Sequence, residues 1–203
     1  MVTIGSPSSR TPADAMAADR SIIPPDILLG AYAQGIFPMA EDGEIVWFSP
    51  MMRGIIPLDE NFHIPRGLKK AMRKQPFEIR FNTAFREVML GCANRTETWI
   101  DPVILESYCH LHELGHAVSV ECWDAEGLQG GLYGVALGKA FFGESMFSRK
   151  TDASKIALVA LVGRLRENDF RLLDTQWLTS HLRSFGGREV SKNQYLEMLK
   201  NLV

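Results

Sequence analysis

The sequence predicts an α+β fold in which helices pack on a mostly antiparallel sheet. Three observations carry that prediction. Ala117 to Phe147 alternates with period two and is broken by two tight turns, as an antiparallel meander is. A strongly apolar helical segment, Ala153 to about Glu167, follows directly. A strand pattern over Phe170–Gln176 then returns to the sheet.

Taken in order, residues 1–25 are small and polar and read as a flexible tail, without the apolar stretch a secretory signal needs. From Asp26 a short helix is expected, with Pro24-Pro25 before it and Gly35 as its cap. Glu44–Pro50 and Arg53–Pro57 are β-branched and aromatic, giving two short strands, and residues 26–62 together form a small N-terminal lobe. The remainder, 63–203, is the main domain. Pro65–Gln75 reads as a helix, Phe77–Phe81 as a strand, Ala84–Cys92 as a helix, and Asp101-Pro102 opens another helix toward Leu114. The meander strands are Ala117–Trp123, Leu128–Leu137 and Ala140–Phe147, with turns at Asp124–Gly127 and Gly138-Lys139. Asp152 is expected to cap the apolar helix, a helix from Trp177 to Phe185 ends at Gly186-Gly187, and Ser191 caps the last one.

Composition narrows the classes of function. The 203 residues, 46% hydrophobic and 23% charged, suit an ordinary globule rather than a fibrous or disordered chain. The longest wholly apolar run, Ile156–Val162, falls far short of the roughly 20 residues a membrane span requires, so no membrane partner is expected. Three cysteines, Cys92, Cys109 and Cys122, form neither a CxxC pair nor an even set, which favours a reducing, cytoplasmic setting. Gly130, Gly131, Gly134, Gly138 and Gly143 fall in strands and turns, so no nucleotide-binding glycine fingerprint is present.

Three constellations could carry chemistry. His112-Glu113-Leu114-Gly115-His116 matches HExxH, in which two histidines one helical turn apart hold zinc. Here Gly115 and the strand pattern from Ala117 end the helix too early, so a helix terminus is the preferred reading and a zinc metallopeptidase the alternative. Arg66, Lys69, Lys70, Arg73 and Lys74 make one basic helix face, while the rest of the chain holds 17 basic against 24 acidic residues. That face is either a phosphate-backbone contact or a solvated surface, and its spacing leaves both open. Asp174 and Gln176 share a strand face, as do Glu144 and Met146. These polar groups either face a cleft between the strands or, for the first pair, cap the following helix. Trp99, just before a helix start, is either a stacking ring or core.

Together these residues resemble the leucyl/phenylalanyl-tRNA-protein transferases, which move an amino acid from aminoacyl-tRNA onto a protein amino terminus. The resemblance runs through Ala31–Pro38, Trp47-Phe48-Ser49-Pro50, Trp99-Ile100, Tyr108, Leu111–His116, Gly131–Val135, Gly143–Ser148, Ala153-Ser154-Lys155, Asp174-Thr175-Gln176 and His181-Leu182. It implies a small N-terminal lobe beside a domain like the GCN5-related acetyltransferases. It also implies that the histidine segment binds no metal. The loop Ser148–Asp152 lacks the glycines that hold coenzyme A in such acetyltransferases, so no coenzyme A donor and no cofactor are expected.

By resemblance, Asp174 and Gln176 act on the attacking amine and Glu144 faces the acceptor. Met146, Leu158 and Leu161 line the pocket for a Leu, Phe or, less well, Met side chain, and Trp99 stacks on the terminal adenosine. The basic face, read from its charge spacing and not from the resemblance, is expected to meet the tRNA backbone. Met39 belongs to the same substrate site but stands where some members carry a second aromatic, which implies a weaker stack. The usual glycine-rich lead-in is missing upstream of residue 26, which implies a trimmed lobe. The implied partners are aminoacyl-tRNA and proteins beginning with Arg or Lys, the implied role is in N-end rule degradation, and a cytoplasmic monomer is expected.

Overall fold

A computed structural model describes residues 22–74 and 76–203. Most of the expected tail, and Gln75 at the end of the expected basic helix, lie outside the described residues. The tail's last positions belong to the fold: Ile23 is buried and its N–H donates to Ser107 Oγ at 2.9 Å. Pro25 is the first residue of helix α1 (Pro25–Ala33). Gly35 closes that helix in the left-handed region, φ +72°, and a Cβ there would lie 2.8 Å from the Tyr195 ring, so glycine is required twice over.

The next segment corrects the expected lobe. Strands β1 (Phe37–Glu41) and β2 (Glu44–Phe48) form a hairpin around Asp42-Gly43, both at positive φ as a tight primed turn demands. Strand β1 was not expected, because Pro38 and the short Phe-Pro-Met-Ala-Glu run mask the alternation. Strand β3 (Met52–Ile56), placed with the lobe by proximity in sequence, belongs instead to a seven-stranded sheet.

Helix α2 (Arg66–Met72), strand β4 (Glu78–Phe81) and helix α3 (Phe85–Ala93) follow. Helix α4 (Pro102–Glu113) is capped as expected, Asp101 Oδ1 accepting from the Ile104 N–H at 2.8 Å. The meander is β5 (Ala117–Asp124), β6 (Gly127–Leu137) and β7 (Ala140–Ser148). Helix α5 (Ala153–Glu167) leads to β8 (Leu172–Asp174), helix α6 (Ser180–Arg183), β9 (Arg188–Ser191) and helix α7 (Lys192–Leu199).

Several local readings change. Asp152 does not cap α5; it sits at φ +66° and its carboxylate takes the Lys155 ammonium at 2.7 Å. The helix expected from Trp177 shrinks to the four residues of α6, because Thr179 supplies the cap by accepting from the Leu182 N–H. Strand β9 went unseen: only Val190 of its four residues is buried, so it carries no periodic signal. Ser191 caps α7 as expected, in a reciprocal box with Gln194.

The sheet order is β4-β5-β6-β7-β8-β3-β9, antiparallel throughout except for the parallel β7–β8 pair. Its two faces bury separate cores. One gathers Leu28, Tyr32, Val88, Ile104, Tyr108 and Tyr195 from α1, α3, α4 and α7, the other Leu68, Leu158, Leu161, Leu182 and Phe185 from the region of α2, α5 and α6. The fold is therefore α+β, with a large, mostly antiparallel sheet covered by helices. Among the described residues, no helix is long and apolar enough to cross a membrane.

Candidate active site

The parallel pair sets the geometry of the candidate site. Phe142 and Asp174 are the last partners in register, so Glu144 and Gln176, two residues further along each strand direction, lie side by side. Gln176 Nε2 donates to Glu144 Oε1 at 3.0 Å. Gln176 is not on β8, however: its φ of +54° turns the chain away at once, so strand alternation does not relate it to Asp174. The expectation that the pair shares a strand face is corrected accordingly.

Asp174 lies behind the site. It is 0% exposed, and its carboxylate accepts Arg53 Nε at 2.9 and 3.0 Å, Arg53 Nη2 at 2.6 Å, Tyr195 Oη at 2.8 Å and the Gln176 backbone N–H at 2.8 Å. Arg53, 1% exposed, also donates to the Gly35 carbonyl at 2.9 Å and lies over the Phe37 and Tyr195 rings. Burial and the neighbouring Asp174 charge push the Tyr195 phenol up, so it stays a hydrogen-bond donor. Asp174 thus fixes the backbone of Gln176 rather than its side chain.

Glu144 reaches the open side. Burial raises its carboxyl to about 8, although the Tyr32 hydroxyl, donating at 2.7 Å, pulls the other way; the Asp174 charge adds to the rise. Tyr108 donates in turn to the Tyr32 oxygen, and both phenols are pushed up by burial and by Glu144. A tyrosine relay thus runs from the core to one carboxylate oxygen.

A cleft of about 360 Å³ opens beside Glu144 and Gln176. Met146, Leu158 and Leu161 line it together with Leu132, Leu173 and Leu182, which makes an apolar chamber. Met39 and Trp99 line it too, tied through the Ala40 N–H to Trp99 carbonyl bond of 3.1 Å. Every expected substrate-contact residue therefore meets in one place with Glu144 and Gln176. Among the described residues, the buried side-chain oxygens and nitrogen without a partner, Tyr133 Oη, Thr175 Oγ1 and His181 Nε2, all belong to residues lining this same cleft. Unsatisfied buried polar atoms converging on a cleft mark a place for polar ligand atoms.

The basic residues stand elsewhere. Arg66, Lys69 and Lys70 lie on α2, with Arg73 and Lys74 just after it; all five are exposed, and none lines the cleft. Among the described residues none of them forms an ion pair. Leu68 on the opposite side joins the core that holds α5.

The histidine segment ends a helix. Gly115 adopts φ +83°, the His116 N–H closes back on the Leu111 carbonyl at 3.0 Å, and His116 falls outside α4. His112 stacks on Phe85 and its Nδ1 donates to the Ala117 carbonyl at 2.7 Å, while Glu113 faces His110. The one-turn histidine pair that HExxH chemistry needs is not formed. Among the described residues, no three His, Cys, Asp or Glu side chains are grouped as metal ligands would be.

Arg53, Tyr32, Tyr108 and Tyr195 were missed by sequence reasoning. The available signal for Arg53 was a charge inside an apolar strand segment, Met52–Ile56, which demands a buried counter-charge. Tyr32 and Tyr108 fall within the family resemblance but carry no role there, since an aromatic in a helix reads first as core.

The profile of the leucyl/phenylalanyl-tRNA protein transferases matches residues 55–200, and that of their N-terminal domain matches residues 22–51. This chain belongs to that family. A leucyl/phenylalanyl-tRNA–protein transferase from Akkermansia muciniphila is 61% identical over 184 residues, 88% of this chain and 95% of the relative. One from Herpetosiphon aurantiacus is 54% identical over 175 residues, 86% and 92% of the two chains. A solved structure of a conserved protein of unknown function from Bacteroides thetaiotaomicron aligns with a TM-score of 0.47 and 7% identity, over 74% of this chain and 55% of the other.

Proposed function

We propose that this chain moves a leucyl or phenylalanyl group, and less readily a methionyl group, from aminoacyl-tRNA to the α-amine of proteins that begin with Arg or Lys, marking them for N-end rule degradation in the cytoplasm, and that it works as a monomer. The observation that carries the reading is the hydrogen-bonded Glu144–Gln176 pair at the edge of an apolar chamber, with Trp99 and Met39 in the same cleft.

The reaction is aminolysis of an ester. The amine nitrogen attacks the aminoacyl carbonyl carbon, the carbon–oxygen ester bond breaks, and the ribose oxygen leaves with a proton. An α-ammonium group titrates near about 8, and the Glu144 carboxyl, raised to about 8, is matched to exchange a proton with it. Glu144 takes the proton from the incoming amine and returns it toward the ribose oxygen. Since Gln176 Nε2 is engaged by Glu144, the Gln176 carbonyl oxygen is left to accept an amine N–H and aim the lone pair. Asp174 and Arg53 act as positioning residues that hold the Gln176 backbone.

The apolar chamber of Met146, Leu158 and Leu161 suits a hydrophobic donor side chain. In its ionised form Glu144 favours a cationic first residue on the acceptor. The exposed basic face of α2 meets the RNA backbone. The ester is already activated, so the chemistry calls for no metal and no cofactor.

The test is transfer of labelled Leu or Phe from tRNA to an Arg-initiated peptide. Gln176→Ala is expected to lower kcat at least tenfold while the melting temperature stays within a few degrees. Wild-type kcat in that variant would remove Gln176 from the mechanism, and absence of labelling by the native protein would remove the reading altogether.

A further inference from the structure

Trp177 follows Gln176, lines the cleft and is 47% exposed. Sequence reasoning placed it at the start of a helix. Its backbone is instead pinned outside any helix. The Gly54 N–H donates to the Gln176 carbonyl at 2.8 Å, and a Cβ at Gly54 would stand 3.0 Å from the Trp177 carbonyl carbon and 2.9 Å from the Leu178 nitrogen. Close approach to a glycine strand holds this segment rigidly.

The ring is braced as well. Phe37 meets it edge-on at 5.3 Å and 86°, and Phe48 at 6.1 Å and 71°. Phe37 and Phe48 are cross-strand partners in the β1–β2 hairpin, and Met39 and Val46 are the next pair on that same face. Trp177 therefore stands beside Met39, on the face whose backbone is tied to Trp99. Two aromatic contacts thus hold the Trp177 ring while 47% of the residue stays exposed in the cleft.

We propose that Trp177 carries the terminal base of the donor RNA by stacking. The inference rests on the reading of the cleft as the aminoacyl-tRNA site. The cleft's other parts are allotted: the leucine and methionine chamber takes an apolar side chain, and Glu144 takes a cationic acceptor. Trp99 is assigned to the terminal adenosine by resemblance, and what remains is Trp177 together with Arg95, the one Arg or Lys among the described residues lining the cleft, whose guanidinium is anchored on Ser145 Oγ at 2.6 Å and on the Cys92 carbonyl at 2.7 Å. Aromatic faces with a cation lacking a carboxylate partner suit a nucleotide, the ring for the base and the guanidinium for the phosphate.

Two stable probes test this by calorimetry: phenylalanine joined by an amide to the 3′ position of adenosine, and the same compound without its base. Native protein is expected to prefer the base-bearing probe. Trp177→Ala is expected to weaken that probe roughly 5- to 150-fold and leave the baseless probe within twofold, with Trp177→Phe restoring most of the loss. Equal weakening of both probes would overturn the inference, since it would make Trp177 a support for the hairpin. So would unchanged base preference in Trp177→Ala, or a raised KM for the acceptor peptide with probe affinity intact. Native protein that binds both probes equally would overturn the reading of the cleft itself.

Discussion

Replacing Arg53 with methionine removes a guanidinium that is 1% exposed and leaves Asp174, 0% exposed, without its cation. Three of Asp174's hydrogen bonds go with it, at 2.9, 3.0 and 2.6 Å, leaving the Tyr195 hydroxyl and the Gln176 N–H. The Gly35 carbonyl loses the Arg53 donor too and keeps, among the described residues, only the Ser49 hydroxyl at 3.4 Å. Methionine recovers part of the packing between Phe37 and Tyr195, so the dominant cost is the stranded charge. Breaking a buried pair from one side costs about 3–5 kcal/mol. With a urea slope of about 2 kcal/mol per molar, the unfolding midpoint is expected to fall by about 2 M. Adding Asp174→Asn removes the charge and keeps one side-chain oxygen, enough for the Gln176 N–H, which bonds Oδ1, while the amide NH2 takes the place of the Oδ2 that accepts from Tyr195; the double variant is expected to regain about 1–3 kcal/mol over Arg53→Met alone. Urea unfolding of the native protein, both singles and the double, followed by circular dichroism, supplies every term. A cost below about 1 kcal/mol for Arg53→Met, or strictly additive singles, would refute the argument that this pair anchors the site. The same reasoning makes Asp174→Ala a stability variant, because Arg53 would be left stranded.

The remaining expectations concern protons and RNA. The Glu144 carboxyl is raised from its ordinary value near 4.5 to about 8, so the folded chain holds the proton more tightly and stability falls as pH rises between those values. Glu144→Gln should be flat by comparison, gaining on the native protein by a few kcal/mol on the order of magnitude set by the shift; parallel melting curves across that window would contradict this. Transfer by the same variant is expected to drop about 100-fold, the low end for a lost proton-transfer group. Reversing Lys69, Lys70 and Arg73 to glutamate should weaken tRNA binding and make its logarithmic salt slope shallower by about 2–3, as read by filter binding across salt concentrations. Unchanged affinity would return α2 to a merely solvated face.

What the sequence discloses and withholds follows from range. The meander is legible because β5, β6 and β7 are consecutive, alternate cleanly and turn at glycines, and α4 is legible from Asp101-Pro102. The place of β3 is not, since it is set by Arg53 and Asp174, 121 residues apart. For the same reason Asp174 reads as a reactive group beside Gln176, whereas its carboxylate is occupied by a partner outside any local window. The chamber residues Met146, Leu158 and Leu161 were carried over from family resemblance, and the fold brings them to one cleft because α5 covers the strand that bears Met146. Trp177 was misjudged because Thr179, two residues on, is the better helix cap.

Strand β8 pairs with β7 only as far as Asp174 and Phe142, while β7 runs on to Ser148. The left-handed backbone of Gln176 peels the chain off at that point, and the sheet splits into a notch like a zipper halted midway. The amide side chain and the twist of its own main chain thus serve different ends in one residue. A β-branched replacement would favour extended backbone and let the two strands zip further, narrowing the notch even before the lost amide is felt, whereas glycine would keep the notch open and empty it of chemistry.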